Sequence, residues 1–253
     1  MANRERVANF LIGLAATVAI AGAFLLDPIP QDPAYHRFAD RMALLGISNF
    51  WNVATNLPFL AIGLVGLLQL PRLTVPALRA HYLVFCIGVA LVGFGSAYYH
   101  WDPTTPTLVW DRLPMTVAFM ALFAALISDR VSPTLGRALL GPLVALGISS
   151  IAWWIHTELL GRGDLRPYAV VQFLPLLLIP LLLLRPGALH TGWLWATLGA
   201  YVAAKLAEHF DSAILDTLGA FSGHSLKHLL AALGAGCAIR AFSKRGRIPY
   251  SGK

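Results

Sequence analysis

Eight apolar runs divide the chain, each closed by charged residues, proline or glycine. They extend from Phe10 to Leu26, Phe50 to Leu70, His81 to Tyr99, just past Asp111 to Ser128, Leu139 to His156, Tyr168 to Leu184, Gly192 to Ala207, and His224 to Phe242. These lengths suit helices crossing a bilayer, which need about 20 residues. Lipid cannot satisfy an open backbone, and the runs do not alternate apolar and polar positions as barrel strands do. The pattern predicts an all-α polytopic membrane protein of eight spans.

Composition agrees. Of 253 residues, 57% are hydrophobic and 12% charged, where a soluble domain carries roughly 25% charged residues. A soluble domain, a disordered chain and a disulfide scaffold are all excluded. Cys86 and Cys237 fall inside apolar runs and read as small buried hydrophobes.

The net charge of +7 then reports topology instead of nucleic-acid binding. With the N-terminus inside, the inner segments hold Arg4, Arg6, Arg72, Arg79, Arg130, Arg137, Arg185, Arg240 and the tail to Lys253, twelve of the 19 Lys and Arg. Most acids fall on the other side. Both termini are expected in the cytoplasm, with the opposite face of the bundle extracytoplasmic. Arg4, Arg6 and Ala21-Gly22-Ala23 also fit a cleavable signal peptide; continuation of the apolar run through Phe24-Leu25-Leu26 favours a retained helix.

Ionisable groups within a membrane are costly and tend to be functional. His224 and His228 are spaced i, i+4, which puts both imidazoles on one helical face. Ser96 and His100 repeat that spacing at the outer end of the third run, and Asp111 follows a short outer loop. Three distant stretches thus bring His100, Asp111 and His224-x-x-x-His228 to one face. Three histidines with a free fourth position match a catalytic zinc, and iron or nickel also accept imidazole. The competing reading is histidines solvated at the interface.

Other residues have plainer readings. Asn52 and Asn56, also i, i+4, suit hydrogen bonding between helices, or contact with substrate or metal ligands. Trp51, Trp101, Trp110, Trp153 and Trp154 fit an aromatic belt. Ser96 can donate to a reacting carbonyl, or simply bond the preceding turn. Asp111 can be a general base, an N-cap, or both. Glu208, His209 and Asp211 read as a solvated helix end, with cation binding as the alternative, and Lys227 as a partner of a lipid phosphate or of Asp216.

The ordered set Ser96-Ala-Tyr-Tyr-His100, Asp111-Arg112-Leu113-Pro114-Met115 and His224-x-x-x-His228, with Asn49-Phe50-Trp51-Asn52-Val53-Ala54-Thr55-Asn56-Leu57-Pro58 upstream, resembles the alkaline ceramidase family. That family belongs to the CREST superfamily of seven-helix membrane hydrolases, with adiponectin-type receptors as relatives. The likeness spans Asn49 to Phe242, and the basic tail gives it a bacterial look. It implies a seven-helix catalytic core over 49–242, preceded by an added membrane helix and outer loop over 1–48 and followed by a basic tail over 243–253. It implies zinc on His100, His224 and His228, with Asp111 on the zinc-bound water and Ser96 near the carbonyl. It further implies hydrolysis of a ceramide-type amide to fatty acid and amine, with membrane lipid as partner. Eukaryotic members carry a Glu before Phe-Trp-Asn as part of a calcium site. Here Asn49 stands there, with Asp32 and Asp40 upstream but no matching acidic cluster, so the calcium site does not carry over. A receptor or sensor with structural zinc is the alternative. A proton-coupled transporter ranks below it, because the sequence shows no internal repeat.

Overall fold

The computed structural model describes residues 2–73 and 75–243; the basic tail from Lys244 to Lys253 lies outside the described residues, as does the side chain of Arg4. The elements are helical: α1 Ala2–Leu25, α2 Phe50–Ala54, α3 Leu57–Gln69, α4 Arg79–Trp101, α5 Thr105–Arg130, α6 Pro133–Leu159, α7 Arg166–Leu183, α8 Thr191–His209, α9 Asp211–Leu218 and α10 Gly223–Ser243. Among the described residues six stretches, Arg6–Leu25, Phe50–Arg72, Pro76–Trp101, Thr105–Arg130, Pro133–Leu159 and Arg166–Leu183, are long and apolar enough to cross a membrane. The expected seventh and eighth spans, α8 and α10, are 19 and 21 residues long but fall outside that set. They carry Lys205, Glu208 and Lys227, whose charges are used inside the bundle.

Two helix boundaries differ from the sequence reading. The second run is broken after Ala54. Pro58 has no N–H, and its ring would collide with the carbonyl of residue i−4, which is Ala54. The chain turns at Thr55–Asn56 and restarts with Pro58 in the first turn of α3. Helix α5 begins six residues before Asp111. Thr104 caps it by accepting the Thr107 N–H at 3.3 Å while the Thr107 hydroxyl accepts the Thr104 N–H at 3.0 Å. Asp111 is therefore interior to α5, its backbone N–H already committed to the helix, and not an N-cap.

A large apolar core joins α3, α4, α5, α7, α8 and α10, with Tyr82, Phe85, Leu126, Leu182 and Phe242 at its centre. Helix α1 lies outside it and packs mainly on α7. At one point two backbones nearly touch: a Cβ on Gly95 of α4 would stand 1.9 Å from the Trp110 carbonyl oxygen of α5. Only glycine permits that approach, which sets Ser96 beside Asp111. At the opposite end of the bundle Arg130 is held by partners on several segments. It pairs with Asp129 at 2.7 Å and donates to the Arg185 carbonyl at 2.5 Å, the Leu189 carbonyl at 2.9 Å and the Thr191 hydroxyl at 3.0 Å.

The segment between α1 and α2 forms a strap over the ends of α4, α6, α7 and α10. The Gln31 N–H donates to Glu158 at 2.6 Å, the Leu165 N–H to the Ile29 carbonyl at 2.8 Å, and the Ala39 N–H to Asp211 at 3.0 Å. His36 is wedged between the Tyr99 hydroxyl at 2.9 Å and the Thr105 hydroxyl at 3.1 Å. Burial, aided by the Arg112 guanidinium, lowers its pKa, so it is neutral at pH 7.

The turn between α6 and α7 that receives the strap is held by Asp164, which accepts from the Arg166 guanidinium at 2.8 and 2.9 Å and from the Trp153 indole N–H at 3.1 Å. The hydrogen-bonded guanidinium holds the Asp164 carboxyl at about 2. An unfolded Asp titrates near 3.9, so this contribution is complete above that pH and lost as pH falls through about 2. Asp164→Asn is expected to lower the melting temperature by a few degrees at pH 7, with the gap to wild type closing between pH 4 and pH 2. Thermal denaturation across that range checks it.

Candidate metal centre and lipid cavity

The imidazoles of His100, His224 and His228 are all buried and converge. Their candidate ligand atoms lie within 4.8 Å of one another, and the two Nε2 atoms of His100 and His224 are 3.4 Å apart. Nitrogens at 2.0–2.1 Å around a tetrahedral ion sit about 3.3–3.4 Å from each other, so that spacing fits two ligands of one metal.

The third ligand is prepared by the break in the second run. The Thr55 hydroxyl donates its one proton to the Trp51 carbonyl at 2.6 Å, so toward His228 Nδ1, 2.9 Å away, it can only accept. His228 is thereby fixed with its proton on Nδ1. Its Nε2 carries the lone pair, is buried, and has no hydrogen-bond partner. A buried acceptor left bare is costly, and a metal ion would satisfy it. Metal-bound histidines commonly donate their second N–H in this manner. Thr55 lies within the Asn49–Pro58 motif, but only the break at Pro58 could have flagged it. Thr55→Val is expected to weaken metal affinity about 10–100-fold, read by competition with a chelator of known affinity.

His224 is placed through its backbone, whose N–H donates to Asp211 Oδ1 at 2.7 Å. Since Asp211 also accepts from Ala39, it ties strap and ligand helix together; it is not a solvated helix end. Phe38, from the strap, packs edge-on 4.7 Å from the His100 ring and tilted 4.6 Å from His224, covering the imidazoles. Sequence reasoning missed Phe38, because nothing local marks a strap residue as a lid.

Ser96 and Asp111 are both buried and line one cavity, where the Ser96 hydroxyl acts on the carboxylate. Lys227 and Arg112 are the cations acting on that carboxylate. Lys227 does not pair with Asp216: it pairs with Glu208 at 2.5 Å, and Lys205 takes the other Glu208 oxygen at 2.7 Å. Asn52 accepts from the Ser225 hydroxyl of α10 at 2.8 Å and donates to the Asp40 carbonyl at 3.1 Å; Asn56 donates to the Asn52 carbonyl at 2.7 Å. Trp51 contributes its carbonyl to Thr55, while its ring packs on Phe221. Asn49 donates to the His100 carbonyl at 2.9 Å.

A cavity of about 350 Å³ runs from this cluster into the bundle. Ser96, Asp111, Lys227 and His228 line its polar end, and Phe59, Phe85, Val89, Met115 and Leu122 its apolar wall. Such a mostly apolar pocket with a few convergent polar groups is the usual form of a ligand site.

Residues 43–163 match the family model described as Ceramidase. That segment belongs to the Ceramidase family. It carries Asn49, Thr55, Ser96, His100 and Asp111. His224 and His228 lie beyond the Ceramidase match, and they join it by geometry, since His100 is the imidazole they meet. No curated protein matches the chain. The Ceramidase segment, the buried histidines and the membrane-length helices together support a ceramidase-like hydrolase with a metal-binding site inside an integral membrane protein.

Proposed function

We propose that the protein is a zinc-dependent intramembrane amidase that cleaves a ceramide-type N-acyl lipid to a fatty acid and an amine. The observation that supports it most is the meeting of the three-histidine cluster with Asp111 and Ser96 at the head of an apolar cavity. His100, His224 and His228 would hold the zinc. When bound there, zinc would supply a water made far more acidic, with a pKa of about 7, and would polarise an acyl carbonyl.

The chain's own residues divide the remaining work. The apolar wall takes the acyl chain, at about 0.8 kcal/mol per buried methylene, and stops the amide at the polar end. Asp111 accepts the proton of the attacking water as the oxygen–acyl bond forms. It then passes that proton to the nitrogen as the carbon–nitrogen bond breaks, so the amine leaves neutral. The Ser96 hydroxyl can turn from Asp111 to the carbonyl oxygen as charge gathers there, a role worth about 2.7–4 kcal/mol for an oxyanion donor. Phe38 and the strap keep bulk water out. In the proposed orientation both termini are cytoplasmic and this chemistry faces the periplasm; the helix over 2–25 is retained ahead of a catalytic core over 49–242.

Purified protein in micelles should contain about one zinc per chain and release palmitate from long-chain N-acyl lipids, followed by elemental analysis and mass spectrometry. Stoichiometric metal with no release from any such lipid would overturn the amidase and leave the receptor-type reading.

A further inference from the structure

We propose that Arg112 selects the substrate: it receives an oxyanion, a carboxylate or a phosphate, carried by the lipid a few bonds from the scissile amide. This rests on the amidase reading above and names its substrate class.

Arg112 follows Asp111 in α5, and both line the same cavity. Arg112 is more than nine-tenths buried, its guanidinium in a box of three rings, 5.3 Å from the centroid of Tyr35, 4.5 Å from Trp154 and 4.9 Å from Tyr168. Rings of this kind satisfy the faces of a guanidinium. Its five N–H groups point outward along the edges, and the box offers them no carboxylate. Among the described residues Arg112 makes no ion pair, and its Nη1 is buried without a hydrogen-bond partner.

Arg130 shows what a structural buried arginine looks like in this protein, with a carboxylate, two carbonyls and a hydroxyl around it. Arg112 has none of these, and its open edges border a cavity. The rest of the wall cannot supply the missing charge. Glu208 is already shared by Lys205 and Lys227, and Asp111 is shared by Lys227 and Arg112, so three cations stand against two carboxylates. An oxyanion fits the fork of a guanidinium with two parallel hydrogen bonds. A neutral headgroup would leave the buried cation uncompensated, which is the situation in which polar sites discriminate most strongly.

Three amides with one acyl chain test it: N-palmitoylglycine, N-palmitoylphosphoethanolamine and neutral N-palmitoylethanolamine. The wild type should favour an anionic member over the neutral one by at least about tenfold in kcat/KM, and which anion ranks first tells carboxylate from phosphate. Arg112→Gln should bring that ratio to within about threefold. Arg112→Lys, which keeps the charge but loses the fork, should fall between. A wild type that cleaves the neutral amide as well as the anionic ones overturns the proposal, with or without a foldable variant. If no amide is cleaved, the amidase reading fails separately. Calorimetric binding then decides: N-palmitoylglycine should bind the wild type about tenfold more tightly than N-palmitoylethanolamine, and equal binding sinks the proposal.

Discussion

The double substitution His224→Ala, His228→Ala is expected to strip the protein of its metal and to reduce amide hydrolysis at least about 10⁴-fold. Two of three converging imidazoles are lost, and His100 alone, 3.4 Å from a missing partner, cannot hold an ion. The acidification of water that zinc provides is worth many powers of ten in nucleophile at neutral pH, so no residual general-base chemistry recovers it. The fold should survive. Both residues sit in the first two turns of α10, while the apolar contacts of that helix lie further along, at Ala232, Ala238, Ile239 and Phe242. Thermal denaturation separates loss of metal from loss of fold, and elemental analysis counts the ion. Wild-type turnover in a variant without metal would remove zinc from the mechanism.

The members of the site were legible in the sequence, but what supports them was not. Three histidines, Ser96 and Asp111 could be placed at one end of the bundle because run boundaries fix which end of a helix a residue occupies. Their mutual distances could not, since they depend on how closely α4 and α5 approach, and that is set by Gly95 against the Trp110 carbonyl. Helix α5 starts earlier than the apolar run suggests, because the charges of Asp111 and Arg112 interrupt that run inside the helix. The local signal was there in Thr104, Pro106 and Thr107, a capping box with proline in the first turn. The strap was invisible for a different reason. Residues 26–49 have no periodicity, and Tyr35, His36 and Phe38 reach Arg112, Tyr99 and the metal ligands only through long-range closure. Likewise Glu208 stood among charges on a helix end; Lys205, three residues earlier on α8, is a local partner, but Lys227 becomes one only when α8 packs on α10.

Asp111→Asn separates the chemistry from the metal. The amide keeps the size of the carboxylate and can still meet the Ser96 hydroxyl, and Asp111 is not among the three converging ligands. Metal content should therefore stay near one per chain. Turnover should fall by about 10²–10⁴, the range for losing a positioned proton carrier. The loss should sit in kcat, because the acyl chain is held by the apolar wall and not by Asp111, so KM should move by less than about threefold. Loss of metal along with turnover would instead make Asp111 a determinant of the ion site. Unchanged turnover would return the proton transfer to some other group, and Glu208, held by two lysines, is poorly placed to take it.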